Sequence, residues 1–244
     1  MLRTILFDLD GTLLPMDPQV FLSHYMQALA ARMSRWLAPQ EFIRHLLAST
    51  AAMVASRDPG RTNEEVFWED FLPRLGVERE EVRPVIEEFY RVDFPALRAY
   101  TCPTPLARRL VEAFYELGCE LVIATNPIFP RGAIVERLRW AGVADFPYRL
   151  ITSYEEMHFC KPNPDYYREI LERVGRRPEE CLMIGNDVEE DLVAARLGLK
   201  TALVEDCLLN PRGEEPAADF RGSLEELVKL VSDGGLAALA GEGK

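Results

Sequence analysis

A chain of 244 residues, 48% hydrophobic and 28% charged, has the composition of a folded globular protein with a sizeable core, not of a disordered one. Its formal net charge of −12 argues against a nucleic-acid-binding surface, which needs a basic face. No stretch approaches eighteen consecutive apolar residues, so no membrane span is expected. The cysteines, Cys102, Cys119, Cys160, Cys181 and Cys207, are odd in number, widely spaced and free of any C-x-x-C pair. That pattern fits a reducing compartment and argues against a zinc site or a disulfide framework. With an N-terminus that runs straight into a strand, a cytoplasmic location is expected.

Residues 3–8 read as a short apolar strand that ends in Asp8 and Asp10, with Gly11 free to turn the chain. Residues i and i+2 of a strand share a side, so the two carboxylates are expected together. From about residue 16 the period becomes helical, through Phe21, Tyr25, Leu29, Met33 and then Trp36 and Leu37. Pro39 interrupts, and Phe42, Ile43, Leu46, Leu47, Thr50, Met53 and Val54 mark a second helix. A loop covers residues 56–61. Thr62 and Glu65 resemble a capping box for a third helix that Gly76 ends. A fourth pattern spans about 80–92, bent or begun at Pro84, and residues 93–103 read as a connection.

After residue 104 strands and helices alternate. Helices are expected over 105–117, 131–141, 163–174, 188–197 and 223–232, and strands over 120–124, 150–152, 181–184 and 200–204. Residues 206–222 read as loop, and the tail after Asp233 as frayed. This alternation predicts an α/β fold, a doubly wound parallel sheet that also takes in the first strand. Residues 16–100 are then an all-helical insertion into a domain made of residues 1–15 and 101–244.

Ligands of open α/β sheets bind beyond the carboxyl ends of the strands. Asp8 and Asp10 stand at the first of these ends and Thr125-Asn126 at the second. Lys161, one of only four lysines, lies in the loop after the third. Gly185-Asn186-Asp187 closes the fourth, with Asp191 a turn further on. The set combines carboxylates, a hydroxyl with an amide, and one cation.

Asp-Leu-Asp-Gly-Thr at 8–12, a strand ending in Thr125-Asn126, Lys161-Pro162 before a helix and Gly-Asn-Asp-x-x-x-Asp at 185–191 resemble, in order, the four motifs of the haloacid dehalogenase-like hydrolases. The resemblance spans nearly the whole chain and implies a Rossmann-like core with a helical cap at residues 16–100. It implies Asp8 as a nucleophile that forms an aspartyl-phosphate and Asp10 as the acid and then the base. Thr125 and the Asn126 backbone N–H would hold the phosphoryl group. A carboxylate meeting a phosphate dianion is repelled by about 4 kcal/mol per unit-charge pair at 4 Å and an effective dielectric near 20. Lys161 and a Mg²⁺ held by Asp8, the Asp10 carbonyl and Asp187 would offset that repulsion. The fourth motif departs from the family's usual Gly-Asp in placing Asn186 after the glycine. Asp187 is therefore the first choice for the metal. Asn186 is a second oxygen donor, and Asp191 either a ligand through water or a group that orients Lys161.

Within the family, dehalogenases usually lack the second acid, so Asp10 favours phosphoryl transfer. Hydrolysis is expected ahead of a phosphomutase or another phosphoryl transferase. The phosphonatase branch needs a cap lysine, and residues 16–95 contain none. A receiver-type signalling domain has a similar acid, hydroxyl and lysine set but about half the length and no place for the insertion. A catalytically silent binding protein on the same fold is a further alternative. The expected partner is a small-molecule phosphate ester, with no nucleic acid and no membrane, and the protein a monomer or homodimer. Arg57, Arg61, Asn63 and Tyr90 are the candidate cap residues toward the substrate.

Overall fold

In the computed structural model, which describes residues 1–239, the strands are β1 (Thr4–Phe7), β2 (Glu120–Ile123), β3 (Tyr148–Ile151), β4 (Cys181–Gly185), β5 (Lys200–Val204) and β6 (Phe220–Gly222). They form one parallel sheet in the order β3-β2-β1-β4-β5-β6. Between β1 and β2 run α1 (Pro18–Arg32), α2 (Pro39–Ala55), α3 (Asn63–Leu75), α4 (Arg79–Val92), a 3-10 helix at Phe94–Tyr100, and α5 (Pro105–Glu116). The remaining helices are α6 (Arg131–Trp140), α7 (Pro164–Val174), α8 (Leu224–Ser232) and the short α9 (Leu236–Leu239).

Both faces of the sheet are covered, which is why its strands are apolar runs without alternation. Ile5 and Phe7 point to one face, where Leu110 and Phe114 of α5, Leu138 of α6 and Leu227 of α8 pack. Leu6 points to the other, against Tyr166, Tyr167 and Ile170 of α7 and Val193 and Ala194. The chain leaves β1 for β2 on one side and later returns to β4 on the other. β1 therefore stands at the topological switch point, where the loops diverge and leave a crevice.

Helices α1 and α3 begin as their local chemistry dictates. The Asp17 side chain accepts hydrogen bonds from the N–H groups of Gln19 and Val20, with Pro18 at the first helical position. Thr62 and Glu65 form the expected capping box, and Gly76 closes α3 in the left-handed conformation. The first N–H groups of α3 serve a tertiary purpose as well. Asn63 N donates to Met157 O at 2.8 Å and Glu64 N to Tyr154 O at 2.8 Å, which seats the helical block on the loop after β3. Where the block joins the sheet, Cys102 N donates to Pro15 O at 2.8 Å, so the outgoing and returning strands of chain cross side by side.

Several local expectations are corrected. Pro84 does not begin α4 but sits inside it. Residues 93–103 are not a plain connection, since Phe94–Tyr100 is a 3-10 helix whose Phe94 and Leu97 are buried. The expected α-helix over 188–197 is a 3-10 helix confined to Leu192–Leu197. Its first turn is displaced because the Asp191 side chain turns back to accept from Asp187 N at 2.9 Å. The stretch 206–222 ends in the three-residue edge strand β6, too short to show a period. The tail is not frayed from Asp233, because α9 follows; the rest of that expectation falls on residues 240–244, outside the described residues.

Candidate active site

Strand register brings the four strand ends level. Phe7 is opposite Ile123 on one side and Ile184 on the other. Asp8 N donates to Ile184 O at 2.9 Å, and Ala124 N to Phe7 O at 2.7 Å. Asp8 thus emerges beside Ala124 and Gly185, one residue before Thr125 and Asn186. Asp8 and Asp10 line one cavity, as expected, although β1 stops at Phe7 and Gly11 turns the chain at φ +90°.

Lys161 is the cation of the site and is 1% exposed. Its Nζ donates to Asp8 Oδ1 at 2.9 Å and to Asp191 Oδ1 at 2.6 Å. Burial works against the ammonium, but Asp191 and Asp8 outweigh it and hold its pKa well above the ordinary lysine value. Gly185 makes this triad possible: a Cβ there would collide with the Asp191 carboxylate. Asp8 Oδ2 accepts from Thr12 Oγ1 at 3.1 Å, and the same hydroxyl lies 3.0 Å from Asn186 Oδ1. A Cβ at Gly11 would strike the Asn186 amide, so the first motif also needs its glycine for close packing.

Asp10 faces a different neighbour. Its Oδ2 accepts from Nη1 of Arg137, which projects from α6 and is fully buried. The Arg137 guanidinium lies 4.4 Å from the centre of the Phe129 ring. Asp10 Oδ1 and Arg137 Nη2 are buried without a hydrogen-bond partner. One carboxylate oxygen is therefore clamped and the other is left open.

Thr125 and Asn126 follow β2 as expected. The Thr125 carbonyl accepts from Thr152 Oγ1 at 2.7 Å and Tyr166 Oη at 2.9 Å, which fixes the backbone of this loop. The Asn126 side chain is engaged at both ends: Oδ1 accepts from Lys161 N at 3.2 Å and Nδ2 donates to Glu190 Oε1 at 3.0 Å. Asn186 is engaged too, donating to Cys207 O at 2.6 Å. Asp187 uses Oδ1 to accept from the N–H groups of Glu189 and Glu190, and its Oδ2 has no partner among the described residues.

These groups border a cavity of about 210 Å³ lined by Asp8, Asp10, Thr125, Asn126, Arg137 and Asp187, among others. Charge in it is unbalanced. Asp8, Asp10, Asp187, Glu190 and Asp191 are set against Lys161 and Arg137, three negative charges in excess. Burial pushes the Asp8 carboxyl up to about 7 despite Lys161, and Asp191 and Asp10 add to the rise. Burial likewise raises Glu190 to about 7 and lifts Asp187. The carboxylates outnumber the cations and Oδ2 of Asp187 is open, so the donor set fits a hard cation. Among the described residues no group of three or more His, Cys, Asp or Glu side chains converges to hold a metal. An ion such as Mg²⁺ takes one or two carboxylates and keeps several waters.

Three residues of the site had no role assigned from sequence: Thr12, Arg137 and Glu190. Thr12 sits inside a motif already singled out. Arg137 had a readable signal, since it lies four residues after Ala133 and three after Ile134, on the buried face of α6. Among the expected cap residues, Tyr90 lines a separate apolar cavity. Arg57 donates to the Val54 and Ser56 carbonyls, and Arg61 pairs with Asp58 and Glu69. Asn63 is buried and holds the Pro127 and Phe159 carbonyls. These three are structural in this arrangement.

The sequence model described as haloacid dehalogenase-like hydrolase matches residues 2–198. The phosphoserine phosphatase of Thermus thermophilus is 32% identical across 75% of this chain and 70% of its own length. The phosphoglycolate phosphatase of Aquifex aeolicus is 28% identical across 95% of this chain and 98% of its own. Among solved structures, an L-2-haloacid dehalogenase from Xanthobacter autotrophicus superposes with a TM-score of 0.55 at 19% identity, covering 95% of this chain and 99% of that one. At that identity the likeness is one of fold.

Proposed function

We propose a specific reaction from a plain premise: the chain belongs to the haloacid dehalogenase-like hydrolase family and is a phosphatase. The reaction is Mg²⁺-dependent hydrolysis of a small-molecule phosphate monoester through an aspartyl-phosphate. The observation that carries it is the Asp191–Lys161–Asp8 triad, which fixes Asp8 at the mouth of the sheet with a buried cation against it.

Asp8 attacks phosphorus in line with the ester oxygen, and the P–O bond to the leaving alcohol breaks. Asp10 gives that oxygen its proton, then takes one from the water that attacks the phospho-enzyme, which returns both carboxylates to their starting state. Arg137 clamps Oδ2 of Asp10 and leaves Oδ1 for the proton. Thr125 and the Asn126 N–H hold the phosphoryl oxygens. Asp8, the Asp10 carbonyl and the open Oδ2 of Asp187 would hold a Mg²⁺, which would supply positive charge against the phosphate dianion. Asp191 orients Lys161, and Asn186 braces Thr12.

Residues 16–100 act as the cap over a core of residues 1–15 and 101–244. A lid of this kind admits small molecules and keeps macromolecules out. Asp10 favours phosphoryl transfer over carbon–halogen cleavage, since a halide leaves without a proton. Free cysteines throughout agree with a cytoplasmic setting. Among the described residues no helix is long and apolar enough to cross a membrane.

Hydrolysis of 4-nitrophenyl phosphate in Mg²⁺ tests the reading. Activity that persists in excess chelator would sink the metal requirement. Asp10→Asn separates the roles of the two acids. Turnover is expected to fall by about 10²–10⁴-fold on alkyl phosphates, the usual worth of general acid–base catalysis. It should fall much less on 4-nitrophenyl phosphate, whose leaving group needs no proton. An equal loss on both would remove Asp10 from the acid role.

A further inference from the structure

A second cavity, of about 140 Å³, lies between the helical block and the core and takes no part in the chemistry above. Its walls include Phe42 and Leu46 of α2, Phe67 and Phe71 of α3, and Ile86 of α4. No charged side chain lines it. Leu22, Ile128 and Phe129 border both this cavity and the one that holds Asp8. Phe129 is the hinge of the pair: Arg137 lies over its ring on the catalytic side, and Tyr25 packs edge-on against it, with ring centres 5.2 Å apart, on the apolar side. One polar feature interrupts the apolar wall. The Tyr25 and Tyr90 hydroxyls face each other at 2.9 Å, and among the described residues neither has another hydrogen-bond partner. One donates to the other, so one hydroxyl hydrogen remains for an acceptor oxygen.

We infer that this cavity receives the body of the leaving alcohol, and that the substrates are phosphate monoesters of apolar alcohols or phenols. The inference rests on the phosphatase reading and deepens it. An apolar cavity of roughly 150 Å³ holds one benzene ring, so the body is about one aromatic ring or a chain of roughly six carbons. A polar two- or three-carbon alcohol would leave this volume empty and gain nothing from its walls. An apolar body gains roughly fourfold in kcat/KM for each methylene it buries, provided that contact is kept in the transition state. The free Tyr hydroxyl hydrogen suits an ether or carbonyl oxygen partway along the body.

The test compares kcat/KM for ethyl, butyl, hexyl and octyl phosphate. A rise of roughly tenfold or more from butyl to hexyl is expected, with a plateau by octyl once the cavity is full. Thr50→Phe fills the cavity from α2, away from the catalytic groups. It should leave ethyl phosphate hydrolysis unchanged and flatten the series. Calorimetric titration with 1-hexanol, with glycerol as control, reads the cavity without chemistry: wild type should bind 1-hexanol and Thr50→Phe should not. A flat series in an active wild type overturns the inference, as does a series still steep in folded Thr50→Phe. If no phosphate ester is hydrolysed, the phosphatase reading fails by itself. The 1-hexanol titration of wild type then decides the cavity, with binding in support and no binding against. If Thr50→Phe does not fold, the wild-type series and titration decide alone.

Discussion

Asp8→Asn is expected to lower kcat on 4-nitrophenyl phosphate by at least about 10³-fold, the scale on which enzymes lose a covalent nucleophile. The amide keeps the shape of the carboxylate; its Oδ1 can accept from Lys161 while its Nδ2 donates to the Thr12 hydroxyl, so the fold should survive. It has no charge to attack with and cannot form the acyl phosphate. Loss of activity with retained substrate binding is therefore the expected signature. A variant that keeps a tenth of wild-type turnover would show that phosphorus is attacked by something other than Asp8.

Lys161→Met is expected to cost both activity and stability. The ammonium is buried and is shared by two carboxylates, Asp8 and Asp191. Removing one partner of a buried ion pair while leaving the other in place costs about 3–5 kcal/mol. The cost should depend on pH in a definite direction. Asp8 already titrates near 7, above the ordinary aspartate value, and losing Lys161 removes a lowering influence. A carboxyl whose folded-state pKa is raised binds protons in the folded state that the unfolded chain has released, so stability falls as pH rises through that interval. The interval runs from the ordinary aspartate value of about 4 to about 7 in wild type and further up in the variant. Denaturant unfolding in chelator should thus show a larger deficit for Lys161→Met at pH 8 than at pH 6. A deficit under about 1 kcal/mol, the range of an exposed pair, would mean that the triad does not hold the site together.

The sheet and its four polar strand ends were legible because parallel strands buried on both faces stand out as apolar runs, and ligand-binding groups collect where those runs stop. Asp8, Thr125, Lys161 and Asp187 all follow from that one rule. The helical block was legible for a similar reason, as Phe21, Tyr25 and Leu29 repeat at helical spacing and Thr62 with Glu65 marks a helix start. What stayed hidden depends on long-range contact. Arg137 is 127 residues from its partner Asp10 and looks, in sequence, like any arginine on an amphipathic helix. Residues 188–191 form a turn before the 3-10 helix, and there Asp191 accepts from both Asp187 N and Lys161 Nζ, contacts that no local propensity contains. β6 holds three residues, fewer than a period-two pattern needs. The apolar cavity arises only when α1 to α4 and the loop after β2 close on one another.

Stereochemistry at phosphorus tests the two-step transfer most directly. Each in-line displacement inverts the phosphoryl group, so attack by Asp8 followed by attack of water inverts it twice. Hydrolysis of a phosphorothioate monoester made chiral with two oxygen isotopes, in water of the third isotope, is expected to give chiral inorganic thiophosphate with net retention. Net inversion would mean that water attacks the ester in a single step, and would contradict a phosphorylated Asp8.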